Sequence, residues 1–292
     1  MTSEVLISLL ISGVRVSALY CLMALGLTLV FGVGKVFNYA HGAFFTWGAY
    51  IAWALHNGFP DLAYPVVFVI TIPIMFAFGA VFDGLIITPL RRRPGWMFTV
   101  FIVTLGSALF LDSLALVVFG PRYKSLPPLI EGNLHIAGSV VSNHDALSLL
   151  IAVSIVIGLG LFLSRTMQGK SMRAVAQDTV GAQMVGIPTN IVFRYTFGLA
   201  GALAGISGVL LAPKTFIFPI VGWPILIKAF VIVVFGGLGS VRGTLYAAFI
   251  LGMIEVVISY YIGAVWALPF FLVVFWIALV FKPQGLFGLA EG

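Results

Sequence analysis

VSALYCLMALGLTLVFGV, residues 16–33, carries no charged side chain. As an α-helix it is about 27 Å long at ~1.5 Å per residue, close to the ~30 Å of bilayer hydrocarbon. It reads as a membrane span. Val5–Val14, another apolar stretch, precedes it, with Arg15 between them. One helix over Val5–Val33 would overshoot the bilayer, so its first part is expected at the interface.

The rest of the chain follows the same pattern. Of its 292 residues, 61% are hydrophobic and 8% charged, where soluble domains carry about 25% charged residues. So few charges cannot cover a water-soluble fold of this size, and an all-α polytopic membrane protein is expected. The 33 glycines suit close helix crossings in lipid. Cys21 is the single cysteine, which excludes an intramolecular disulfide, and it reads as a buried spectator thiol. The net charge of +6 does not indicate nucleic-acid binding, because the basic residues fall in loops between apolar segments and set orientation there. Glu4 without a basic n-region gives no sign of a removable signal peptide.

Further segments are Tyr39–Leu55, Ala63–Thr88, Met97–Phe119, Leu147–Leu163, Ile191–Ala212, Ile225–Phe235, Thr244–Ile262 and Ala264–Phe281. Eight or nine membrane helices are expected in a single domain over 1–292, with Tyr39–Leu55 and Ile225–Phe235 as the broken or re-entrant candidates. Arg91-Arg92-Arg93 forms one basic cluster, Arg165, Lys170, Arg173 and Arg194 another, and Lys282 follows the last segment. Placing all three in the cytoplasm leaves residues 120–146 outside and Arg242 in a cytoplasmic turn. Nine full spans put the N-terminus outside, and one re-entrant segment puts it inside; the outside placement is preferred.

Catalytic, cofactor and metal signatures are not expected. Gly169-Lys170-Ser171 resembles the end of a phosphate-binding loop, but Ser164 stands where that loop needs glycine, after an apolar helix instead of a strand. In Gly236-Gly237-Leu238-Gly239-Ser240-Val241-Arg242-Gly243, Arg242 takes the third glycine position of a dinucleotide fingerprint. A tight cytoplasmic turn and a close helix crossing suit these glycines better. His41, His56, His135 and His144 are scattered. A protease pairing of His41 with Ser207 competes with the ordinary back-bonding of helix serines.

Ionisable groups in apolar segments cost about 2.5–3.5 kcal/mol on insertion scales and are functional candidates by default. They are Asp83, Asp112, Lys228 and Glu255, with Arg15 nearer an end. Asp83 is placed to pair with the Arg91–Arg93 edge. Glu255 is the deepest, either a proton relay of an ion-coupled carrier or glue between helices. Asn38 and His41, in Asn38-Tyr39-Ala40-His41-Gly42, suit local capping or a polar pathway at a broken helix.

Four ordered blocks carry a family resemblance. ALGLTLVFGVGKVFNYAHGAFFTWGAY (24–50), GKSMRAVAQDTVGAQMVGI (169–187), KAFVIVVFGGLGSVRGTLYAAFILGMIEV (228–256) and KPQGLFG (282–288) resemble bacterial branched-chain amino acid ABC transporter permeases of the LivH type. The resemblance covers Leu19 to Gly288. It implies a permease subunit in the bacterial inner membrane that shares the translocation path with a second related permease. Two cytoplasmic ATPases would power the pair, and a periplasmic binding protein would deliver solute. Tyr39, Thr244 and Leu245 depart from the family pattern, and related permeases take urea or short amides. An ion-coupled carrier and a non-transporting scaffold are the alternatives.

The resemblance makes 164–190 a cytoplasmic coupling loop. Its residues Gly169, Ser171, Met172, Arg173, Val175, Asp178, Val180, Gly186 and Ile187 are implied to contact an ATPase. Ser171 is a reasonable N-cap, and Gly186 with Pro188 is a stop signal. Gly181 suggests a bend or two short pieces. Met172, Val175 and Val180 are expected to be exposed beside Arg173 and Asp178. Asn38, His41 and Glu255 are the pathway candidates.

Overall fold

The computed structural model of the chain describes residues 3–91, 93–136, 139–282 and 284–287. Arg92, Pro283 and the final residues from Gly288 lie outside them. Helix α1 (Ser3–Gly34) is followed by α2 (His41–Gly58), α3 (Tyr64–Leu90, with a π-helical stretch Asp83–Ile87) and α4 (Trp96–Phe119). A hairpin of β1 (Asn133–Ile136) and β2 (Ser139–Ser142) pairs Leu134 with Val141. There follow α5 (Asn143–Arg165), α6 (Met167–Gln177), α7 (Thr179–Met184), α8 (Thr189–Leu211), α9 (Gly222–Gly236), α10 (Val241–Tyr261) and α11 (Ala267–Phe281).

Among the described residues seven helical segments are long and apolar enough to cross a membrane: α1, α3, α4, α5, α8, α10 and Ala264–Phe281. The two short elements flagged in the sequence, α2 and α9, are not among them. α1 runs unbroken from Ser3 to Gly34, so the stretch expected at the interface is continuous with the span. Arg15 lies inside that helix and pairs with Asp145 at the start of α5 (3.6 Å), and Lys214 joins the same carboxylate (3.0 Å). The overshoot is therefore helix that continues past the level of this charge cluster.

α1 and α8 form the centre and run antiparallel. Ser207 Oγ donates to Leu19 O, and Gly34 approaches Phe193. Their apolar windows are 83% and 78% buried, against 17–39% for the other five spans, so the peripheral helices give most of their surface to lipid. Two units repeat around this centre. In each, a long helix ends, the chain turns back, a short helix starts inside the bundle, and another long helix follows (α1–α2–α3 and α8–α9–α10). The first helix of each unit lies against the third helix of the other, α1 on α10 and α8 on α3. Because α1 and α8 are antiparallel, the units are inverted relative to each other.

Small residues make these crossings close. In lipid no hydrophobic effect draws helices together, so backbone approach and packing must hold them. A Cβ on Gly48 would fall on the backbone of Gly205, one on Gly79 on the carbonyl of Phe197, and one on Gly252 on Ser17. The glycine-rich turn after α9 makes the close helix crossing that the sequence suggested. Gly236 meets Gly243 backbone to backbone, and Ser240 Oγ accepts from Gly243 N–H (3.1 Å) to start α10.

Gly79→Leu should therefore destabilise the α3–α8 crossing by about 1–3 kcal/mol. Gly106→Ala, where added bulk meets open space, should not. Thermal unfolding of the purified chain in detergent reads the difference as a lowered midpoint for the first variant alone.

Candidate functional site

The polar groups of the interior gather where the two short helices begin. Lys35 closes α1 in the left-handed conformation (φ +54°), its N–H reaching Phe31 O at 2.7 Å. The chain then climbs back beside α1, with Phe37 against Phe31 and Phe230, and Tyr39 against Phe101. His41 opens α2 next to Met23 and Gly26. Gly26 is eight residues before the end of α1, about 12 Å up the helix. Gly222 opens α9 directly against Gly42. Two helix starts thus abut inside the bundle.

Their backbone groups are satisfied by nearby side chains. Asn38 Oδ1 accepts from Ala40 N–H (3.1 Å), and Asn38 O accepts from His41 N–H (3.2 Å). Thr104 Oγ1 accepts from Tyr39 N–H (3.3 Å). Thr46 Oγ1 accepts from Gly222 N–H (3.1 Å) while donating to Gly42 O (3.3 Å). Asn38 is bonded locally, through Oδ1 to the N–H of Ala40, the N-cap residue of α2, which itself has no side-chain cap. The His41 side chain is not, since its fully buried ring places Nε2 3.0 Å from Met23 O. A carbonyl can only accept, so Nε2 carries the proton. Ser207 bonds Leu203 O and Leu19 O, which leaves the protease pairing without a His41–Ser207 contact.

Glu255 sits apart from Asn38 and His41. Lys228 on α9 donates to its Oε1 at 2.7 Å, and Tyr20 on α1 donates to the same oxygen at 2.8 Å. The lysine also donates to the tyrosine oxygen (2.8 Å). Both charged side chains are 11% exposed. This triangle ties the short helix α9 to α1 and α10. Asp83 pairs with Arg91 at 3.3 Å, and the guanidinium lies 3.7 Å over the Phe193 ring. Asp112 accepts from Trp223 Nε1 at 2.6 Å. All three interior carboxylates therefore have a partner, while Glu255 Oε2 accepts no hydrogen bond. The sequence singled out Lys228 and Glu255 but not their pairing, because 27 residues and a turn separate them.

A cavity of about 220 Å³ opens beside the helix starts, lined by Leu27, Asn38, Leu226, Ile227, Phe230 and Leu272 among others. Neither His41 nor Glu255 lines it. A second cavity, of about 470 Å³, lies among Lys35, Arg91, Gln183 and Asn190 at the end of the bundle that carries the basic clusters.

The segment after α5 forms two short helices, and three details differ from the sequence reading. Thr166, not Ser171, is the N-cap of α6, its Oγ1 accepting from Gly169 N–H at 3.0 Å. The break falls at Asp178, not Gly181, because Asp178 ends α6 and caps α7 through Val180 N–H (2.9 Å). Met172 and Val175 are not exposed: they are 2% and 1% accessible, turned onto the chain's own bundle. Arg173, Asp178, Val180, Met184 and Val185 form the outer surface. Gly169 abuts the backbone of Phe162 and Leu163, so α6 folds tightly over the end of α5. Gly186 (φ +82°) ends α7, with Ile187 N–H on Ala182 O and its own N–H on Gln183 O, the double bond of a Schellman stop.

The family model described as the permease component of the branched-chain amino acid transport system matches residues 9–281. The BraD permease protein of the high-affinity branched-chain amino acid transport system of Pseudomonas aeruginosa is 29% identical, over 97% of this chain and 95% of that protein. The LivH permease protein of Escherichia coli K12 is 28% identical over 96% and 94%. A probable LivH permease protein of Methanocaldococcus jannaschii is 30% identical over 94% and 90%.

The Lys228–Glu255 pair sets a prediction on stability. Removing one partner of a buried ion pair costs about 3–5 kcal/mol, whereas replacing both with apolar groups is often neutral. Lys228→Met and Glu255→Leu should each lower the unfolding midpoint strongly, and the double variant should recover most of the loss. A thermal double-mutant cycle in detergent measures this.

Proposed function

We propose a transport function for this chain, which belongs to the branched-chain amino acid transport system permease family. It is the membrane-spanning permease subunit of an ABC importer, and its solute is a branched-chain amino acid. The match of the family model over residues 9–281 carries this reading, since it takes in every long helix and both short ones. The energy source is two cytoplasmic ATPase subunits. A periplasmic binding protein supplies solute, and a second, related permease completes the path.

The whole chain, 1–292, acts as one permease domain in the bacterial inner membrane. Counting α2 and α9 gives nine membrane segments and an N-terminus outside. Residues 164–190 are the coupling segment, with α6 and α7 as its helices. Gly169, Met172 and Val175 seat it on the bundle; Arg173, Asp178 and Val180 face the ATPase; Ser171 lies within α6, and Gly186 and Ile187 fix where α7 ends. Lys228 and Tyr20 hold one oxygen of Glu255, and Trp223 holds Asp112, an arrangement that fits ties between helices.

Vesicles holding the complete transporter should take up labelled leucine, isoleucine and valine only with ATP and the loaded binding protein. Uptake by this chain alone, driven by a proton or sodium gradient, would overturn the reading. Val180→Asp, at a site 62% exposed, should change stability by less than about 0.5 kcal/mol while lowering ATP-driven uptake at least several-fold. Unchanged uptake would remove α7 from the ATPase contact.

A further inference from the structure

The cavity among Lys35, Arg91, Gln183 and Asn190 differs in kind from the apolar one beside the helix starts. At about 470 Å³ it is more than ten times the ~30 Å³ share of one water. Four spans end at it: α1 at Gly34, α3 at Leu90, α4 at Trp96 and α8 at Thr189. It therefore lies where the bundle leaves the hydrocarbon. Trp96 and Met97, in the first turn of α4, line one side, and tryptophan is common at that depth. Met97 is 52% exposed, so this side runs on into the bare face of α4 at Phe101. Thr179 and Gln183 of α7 line another side.

The described wall carries two basic side chains, Lys35 and Arg91, and no acidic one. Lys35 is exposed and makes no ion pair among the described residues. Arg91 Nη2 donates to Asp83 and Thr88, while Nη1 is neither bonded nor sealed within the protein. Asp83, behind the wall, is fully buried and already faces Arg91, and the Arg194 guanidinium lies close by, next to Gly84. Three cations against one carboxylate leave the cavity net positive. Two helices end here and two begin, so their dipoles offset and the side chains set the sign. An amino acid zwitterion finds no acidic partner here for its ammonium, and a choline or ethanolamine headgroup meets the same lack. An anion with no cationic group of its own fits. At the depth where four spans end, the anion at hand is a phosphodiester of the bilayer, and basic pockets between spans on the cytoplasmic side suit such headgroups.

We propose that this cavity binds the headgroup of an anionic phospholipid from the leaflet it faces. The phosphate oxygens accept from Lys35 Nζ and Arg91 Nη1, and the acyl chains run along the bare face of α4 past Met97. Through Thr179 and Gln183 the headgroup also lies against α7, so the lipid ties the segment after α5 to α1, α3 and α4. The site requires that the spans cross a bilayer, and it does not depend on which solute is carried.

The test uses the full chain purified in an uncharged detergent, with native mass spectrometry counting bound lipid. The probes are phosphatidylglycerol, phosphatidylcholine with the same acyl chains, and inorganic phosphate. Wild-type chain should bind phosphatidylglycerol on the order of tenfold more tightly than phosphatidylcholine. Lys35→Asn, which suits the left-handed backbone there, should weaken phosphatidylglycerol about fivefold, the factor for one basic residue near a membrane surface. Asn190→Glu, at an exposed wall position in the first turn of α8, adds a carboxylate that a helix start favours and should weaken it similarly. Arg122→Gln, in the loop after the far end of α4, should leave binding unchanged. Equal affinity for the two lipids overturns the site. So does binding that neither wall variant weakens, or that Arg122→Gln weakens as much. Displacement of phosphatidylglycerol by millimolar inorganic phosphate assigns the cavity to a soluble phosphate and overturns the lipid. If Lys35→Asn fails to fold, Asn190→Glu decides.

Discussion

Hydrocarbon offers a backbone N–H nothing to bond, and this fold meets that constraint most severely where α2 and α9 begin inside the bundle. Non-helical chain at membrane depth persists only where protein or a cavity supplies partners. Here Asn38, Thr46 and Thr104 supply them within a few residues of each other. The two helix starts also bring together like ends of two helix dipoles, each about half a positive charge. Gly42 and Gly222 answer that in part by letting the Gly42 carbonyl lie directly against Gly222. A side chain at either position would force the starts apart and strip the N–H groups of their acceptors. The small residues, the hydroxyls and the amide therefore form one arrangement.

The same logic accounts for the charges. A 15-residue helix such as α9 is about 22 Å long at ~1.5 Å per residue. It cannot be held by matching the bilayer, so its position must come from neighbouring helices. Lys228 provides that anchor through Glu255 on α10 and Tyr20 on α1. Thr28 and Thr244, 2.7 Å apart, add a second polar tie between α1 and α10 nearer the Gly236–Gly243 turn. Asp83 and Glu255 each meet a basic side chain, and Asp112 meets an indole N–H.

The sequence revealed the long spans because eighteen or more apolar residues have few other uses. It revealed the short helices as doubtful spans for the same reason read in reverse. The Asp83–Arg91 pair was legible because eight residues of helix bring the two onto nearly one face. The Lys228–Glu255 pair was not, since it depends on how α9 and α10 lie together after the Gly236–Gly243 turn. Met172 and Val175 show a subtler limit. Their i, i+3 spacing marks an apolar stripe, but spacing alone does not say whether that stripe meets a partner or the chain's own bundle. Thr166 and Ser171 are both competent caps, and only the fold of α6 over α5 at Gly169 chooses between them.

The burial of Met172 and Val175 changes what a push on this segment would do. A helix exposing its apolar stripe would be held by the partner and only tethered to the bundle. As it stands, α6 is seated on the bundle by that stripe, and α7 leads into α8 through the rigid stop at Gly186 and Ile187. α8 in turn carries Phe193 under Arg91, just after α3, at one end and Gly205 against Gly48 of α2 further along. On the transport reading, a displacement at Val180 is therefore delivered to the central helix and, through its glycine contacts, to the short helix beside the cavity. Close-packed contacts of this kind shift between discrete arrangements more readily than they deform. On that reading the segment works as a lever because Met172 and Val175 point inward while Val180 stays exposed.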